Sequence, residues 1–113
     1  MHAFYLHIGD YVKDAGHLSF HESGAYFSLL RIYYSTESAI PLDHKVIHRL
    51  TLCRTPQDRA AIDSVIKEFF IIESDGYHHK RCDLEIFKMR EKSEKAKQSA
   101  QERWNRENNA NAL

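Results

Sequence analysis

Apolar residues recur along this chain in two rhythms, and the changes between them mark its elements. Phe4-Tyr5-Leu6-His7-Ile8, closed by Gly9-Asp10, is an aromatic and aliphatic run that reads as a short first strand. A helical rhythm comes next: Tyr26, Leu29, Leu30 and Tyr33 form one stripe, and Phe20, Phe27 and Tyr34 widen it, so this helix is expected to pack against more than one neighbour. Its start is marked by Ser19-Phe20-His21-Glu22, a capping box in which hydroxyl and carboxylate each satisfy an orphan backbone amide. It is expected to run to about Ser35.

Asp43 is a good N-cap for a short second helix in which Val46, Ile47 and Leu50 recur. Thr55-Pro56 places a capping hydroxyl before a proline at the first helical position, and Ala61, Ile62, Val65, Ile66 and Phe69 continue a third stripe. Phe70 to Ser74 and Tyr77 to Arg81 flank Asp75-Gly76, a pair suited to a two-residue type I′ hairpin turn. With Ser74 opposite Tyr77, Phe70, Ile72, Tyr77 and His79 share one face, and Glu73, His78 and Lys80 the other. From Asp83 onward Leu84, Ile86, Phe87 and Met89 open a final helix, and 108–113 reads as frayed tail.

This order of strand, three helices, hairpin and helix predicts an α+β, mostly α fold: a winged-helix-like domain over 1–89 and an extended basic helix with its tail over 90–113. The 113 residues suffice for a core, and the expectation is one such domain without a second, catalytic one. Neither a membrane span nor an export signal is legible, and two cysteines suit a reducing compartment, so the expected location is the cytoplasm, with no membrane partner.

Charge sharpens this picture. Sixteen Lys and Arg balance sixteen Asp and Glu, yet residues 1–79 carry a balance of −3 and 80–113 a balance of +3. The third helix offers Gln57, Arg59, Ser64 and Lys67 to DNA, but Asp58, Asp63 and Glu68 would repel phosphate. The better nucleic-acid candidates are His78, Lys80, Arg81, Lys88, Arg90, Lys92, Lys95, Lys97 and Arg103, with weak sequence preference expected from phosphate contacts. The same final helix carries Ser93, Ala96, Ala100 and Trp104, a narrow stripe on which a second copy or another partner could pack.

His7-Ile8-Gly9-Asp10-Tyr11, Leu18-Ser19, Glu22-Ser23-Gly24-Ala25-Tyr26, His79-Lys80-Arg81-Cys82-Asp83 and the run Arg90 to Ala96, with Arg103-Trp104 beyond, resemble the YdaU-like proteins of prophages, the DUF1376 family. The resemblance spans roughly residues 4–106. It implies a winged-helix-like domain, often the N-terminal part of a longer phage protein associated with replication, and it brings no catalytic residues.

Other chemistry is thin. His17/His21 and His44/His48 have the spacing of one helical turn, but no adjacent carboxylate motif completes a ligand set, and His79 with Cys82 is at most half a zinc site, so no metal or other cofactor is expected. His7, Asp10, Asp14, His17, His21 and Glu22 supply no nameable nucleophile and base; Asp10 and Asp14 read as turn and cap residues, and the chain is not expected to be an enzyme. The expected function is DNA binding in phage replication or its regulation. The alternative is a protein-interaction or self-association module, with a second copy or a phage or host replication protein as partner of the final helix.

Overall fold

The computed structural model describes residues 8–111. These residues form helices α1 (Ile8–Ala15), α2 (Phe20–Thr36), α3 (His44–Leu50) and α4 (Pro56–Phe69), strands β1 (Ile71–Glu73) and β2 (Gly76–His78), and helix α5 (Lys80–Asn111). The fold is α+β and mostly helical, with one antiparallel hairpin and a long C-terminal helix. The chain divides into two compact units, Met1–Cys82 and Asp83–Leu113.

Local chemistry accounts for the helix starts. Ser19 accepts from the Glu22 amide while the Glu22 carboxylate accepts from the Ser19 amide, and Thr55 and Asp58 repeat the arrangement at α4 behind Pro56. Asp43 caps α3 through the Lys45 amide. Such caps matter because the first turn of a helix leaves its amides without intrahelical acceptors.

Most of the expected first strand, residues 4–7, lies outside the described residues, but Ile8 opens a helix rather than closing a strand. Asp10 and Asp14 accordingly sit within α1 and are neither turn nor cap residues. Gly16 follows α1, and a Cβ there would lie 2.4 Å from the Val12 carbonyl oxygen. Tyr11 joins α1 to α2, donating to the Ser23 hydroxyl at 3.1 Å and stacking on Phe27.

The core of the first unit is built where α2 packs on α4 and α3 closes against α4. Leu29, Tyr33, Ile40, Ile47, Val65 and Ile66 are fully buried there, each such side chain worth roughly 1.5–3 kcal/mol in transfer free energy. The stripe on α2 is narrower than expected: Tyr34 is buried, but Phe27 is partly exposed and Phe20 is 98 % exposed. Phe20 is the first residue of α2, and among the described residues no neighbouring element covers its side chain.

The hairpin forms in a different register. Glu73 opposes Gly76, Ile72 opposes Tyr77 and Ile71 opposes His78, so the turn is Ser74-Asp75 and not Asp75-Gly76. Neither turn residue has positive φ, which excludes type I′. The shift preserves the face of every side chain, because it amounts to an even number of residues. Phe70, Tyr77 and His79 are buried on the shared face, whereas Ile72, near the turn, is 67 % exposed.

The cause of this register lies on the other edge of β2. Ile40, between α2 and α3, exchanges both backbone hydrogen bonds with Tyr77, at 3.0 and 2.7 Å. Gly76 must therefore pass close to the Ile40 carbonyl; its φ is 142°, and a Cβ would come within 2.3 Å of that oxygen. Glycine is in the strand because another backbone needs its space.

Helix α5 begins at Lys80, three residues before the expected start. His79 supplies the reason: its Nδ1 accepts the Cys82 amide at 3.3 Å, an N-cap bond made by an imidazole. The His79 Nε2–H then donates to the Tyr26 hydroxyl at 2.9 Å, and burial pushes the Tyr26 phenol up to about 12. At the other end the helix continues through Asn111, into the segment expected to be tail.

Candidate nucleic-acid interface

The basic residues divide between the two units, and their surroundings differ. In the first unit His78 closes β2, with its Nε2 2.7 Å from Asp75 and 3.1 Å from Glu73 and its Nδ1 3.3 Å from the Tyr33 hydroxyl. Asp75 is held below its ordinary pKa chiefly by the hydrogen bond from His78. Arg81 pairs with Asp14 at 3.0 Å. A groove of about 620 Å³ is lined by Lys13, His17, Lys80 and Arg81, but also by Asp14 and Glu68, so its field is mixed. His78 and Arg81 thus each face a carboxylate of their own unit.

In the second unit Lys88, Arg90, Lys92, Lys95, Lys97 and Arg103 are all exposed along α5. At about 100° per residue, Lys88, Lys92, Lys95, Arg103 and Arg106 fall within about 80° of one another around the helix axis. They make a basic stripe about 27 Å long at a rise of 1.5 Å per residue. Glu85 shares this face one turn before Lys88, Glu91 and Glu102 border it on one side, and Arg90 and Lys97 lie on the far side of the helix. Ser93, Ala96, Ala100 and Trp104 run along the other border and are exposed, Trp104 to 58 %.

The third-helix candidates of the sequence reading lie on α4, and its acids acquire partners that sequence spacing does not reveal. Asp58 lies 2.9 Å from His21, Asp63 lies 2.8 and 2.7 Å from His44 and His48, and Glu68 pairs with His17. Each acid that would repel phosphate therefore faces an imidazole whose protonation would offset it. Hydrogen bonds hold two carboxyls low: Asp58, chiefly through the Arg54 amide, and Glu22, chiefly through the Ser19 amide. Burial raises Asp63, but its bonds to His44 and His48 outweigh this and leave it below the ordinary range.

The carboxylate that the local sequence around His44 and His48 lacks is thus Asp63, from the next helix. A second grouping, Glu73, Asp75 and His78, sits at the hairpin tip. No helix of the described residues is long and apolar enough to cross a membrane.

Comparison with known proteins fits this architecture into a lineage. The profile of a family described as protein of unknown function, DUF1376, matches residues 3–86. The chain belongs to the DUF1376 family. It is also 35 % identical over 88 residues to the uncharacterized protein YdaU of Escherichia coli (strain K12), a match covering 77 % of this chain and 30 % of that relative. The chain therefore spans about a third of the length of YdaU. No solved structure matches significantly. The DUF1376 match ends at Ile86, so the basic stripe of α5 lies beyond the family's matched segment.

Proposed function

We propose that this DUF1376 chain is a winged-helix-type, prophage-derived protein that binds DNA without catalysing a reaction, in phage replication or its regulation. The observation that carries the proposal is the stripe of Lys88, Lys92, Lys95, Arg103 and Arg106 on one face of an exposed helix. Such a row meets a phosphate backbone without reading bases, so its contribution is largely independent of sequence. His78, Lys80 and Arg81 of the first unit are the weaker candidates for phosphate contact, because His78 and Arg81 already face acids.

The winged-helix part rests on chain order: α2, the Ile40 bridge, α3, α4 and then the hairpin, with Ile40 seated on the outer edge of β2. Cys53 and Cys82, neither of them in a disulfide, suit a cytoplasmic setting. Exposure of Trp104 beside Ala96 and Ala100 favours one alternative, a protein-interaction or self-association module using α5. DNA binding followed at several salt concentrations, with solution mass measured in parallel, separates the two. Salt-sensitive binding by a monomer supports the DNA reading; absent binding, with a mass that falls on Trp104→Ala, supports association.

A further inference from the structure

We infer that His44, His48 and Asp63 form a binding site for a divalent transition-metal ion of the zinc, cobalt or nickel class. Three features of the cluster carry this. First, the donor set is two imidazoles and one carboxylate, a combination that suits such ions better than magnesium or calcium. Second, the donor atoms converge: His44 Nδ1 and His48 Nε2 approach the same oxygen, Asp63 Oδ1, at 2.8 and 2.7 Å, and all three lie within 4.8 Å of one another.

Convergence follows from the fold. His44 and His48 lie one turn apart on α3 and project from the same face, while α4 brings Asp63 against them. An ion bound about 2.1 Å from each donor requires ligand atoms roughly 3.0–3.4 Å apart, so the two imidazole–carboxylate distances need to lengthen by only about 0.5 Å. The metal would take the place of the N–H protons that now bridge imidazole and carboxylate.

The third feature is the outer shell. The second nitrogen of His44, Nε2, lies 2.9 Å from the Tyr77 hydroxyl, and Tyr77 is itself buried and fixed by its backbone pairing with Ile40. A ligating histidine that places its other nitrogen on a fixed partner has its ring orientation set in advance, and the Tyr77 hydroxyl can accept the Nε2–H that ligation through Nδ1 requires. The side chains of His44 and Asp63 are 41 % and 42 % exposed and that of His48 17 %, so water can complete the coordination from one side. The grouping at the hairpin tip is a poorer rival, with one imidazole and two carboxylates that are 56 % and 66 % exposed.

The test uses tag-free protein treated with a chelator and dialysed, titrated with zinc by calorimetry and with cobalt by visible absorption. The expected result is one equivalent bound with micromolar affinity, with cobalt bands of nitrogen and oxygen ligation. His48→Ala and Asp63→Asn should each weaken binding at least tenfold. Tyr77→Phe, which removes only the outer-shell oxygen, should weaken it by about tenfold. Asp75→Asn should leave it unchanged. Circular dichroism accompanies each variant, and the near-isosteric Asp63→Asn serves if His48→Ala does not fold. Absence of micromolar binding by the wild type would overturn the inference, as would binding that survives His48→Ala with Asp63→Asn, or binding that Asp75→Asn alone abolishes.

Discussion

Gly76→Ala is the substitution for which the structure forecasts the largest effect from a single methyl group. The new Cβ would lie 2.3 Å from the Ile40 carbonyl oxygen, 3.1 Å from its carbonyl carbon and 3.0 Å from the Ala39 Cβ, at a backbone φ of 142°. Two of these atoms are backbone, so relief requires Ile40 to move away from β2 and give up its two hydrogen bonds to Tyr77. Those bonds contribute about 1 kcal/mol each, and holding a side-chain-bearing residue at such a φ costs about 1–3 kcal/mol. The total, roughly 3–5 kcal/mol, is a large fraction of the 5–15 kcal/mol typical of a domain. Urea unfolding followed by far-ultraviolet circular dichroism reads it directly: at an m value of about 2 kcal/mol/M, the midpoint should fall by roughly 2 M. Gly24→Ala is the matched control, since a Cβ there meets nothing within 4 Å and the site is an exposed position of α2; it should stabilise by about 0.5–1 kcal/mol. If Gly76→Ala unfolds at the wild-type midpoint, the close pairing of Ile40 with β2 is wrong, and the winged-helix reading loses its main support.

Further expectations concern the core, the caps and acid. Leu29→Ala should cost about 2–5 kcal/mol in chemical denaturation, whereas Phe20→Ala should stay within about 0.5 kcal/mol of wild type, because one side chain is fully buried and the other bare. Ser19→Ala and Thr55→Ala should each cost about 1 kcal/mol by the same measurement, through loss of an amide acceptor. Glu22 and Asp58 have folded pKa values below their ordinary ones, so their stabilisation is present above about pH 4 and is lost as pH falls through the lower, folded values. Melting temperature should therefore drop in strong acid, and Asp58→Asn should lessen the drop; an identical acid profile for the variant would contradict that assignment.

What was legible in the sequence was mostly short-range. The caps at Ser19, Asp43 and Thr55 are each written within four residues, and α2, α3 and α4 start where those signals place them. Long-range pairings were not visible. Ile40 joins β2 through one residue, too short a stretch to show alternation, and that bridge rather than the Asp75-Gly76 dipeptide explains the glycine and moves the turn to Ser74-Asp75. His79 does not look like an N-cap by residue type, and so α5 starts earlier than its apolar spacing implies.

The candidate sites divide in the same way. Lys88, Lys92 and Lys95 are recognisable as basic positions from sequence, and their common face follows from helical geometry alone. Asp63, by contrast, is separated from His44 by nineteen residues, and only the packing of α3 on α4 makes it their partner. Spacing rules find ligands that share an element; they miss those that a fold brings together.

The central claim is best tested by the salt dependence of duplex DNA binding, measured by fluorescence anisotropy on the wild type, on Lys92→Glu with Lys95→Glu, and on Arg90→Glu with Lys97→Glu. If the five cations of the α5 stripe meet phosphates, log K should fall with log salt at a slope near −4 to −5. The stripe variant should bind more weakly with a slope shallower by about 2, and the variant on the far side of the helix should change less. Absent binding, a slope near zero, or equal losses in both variants would contradict the account.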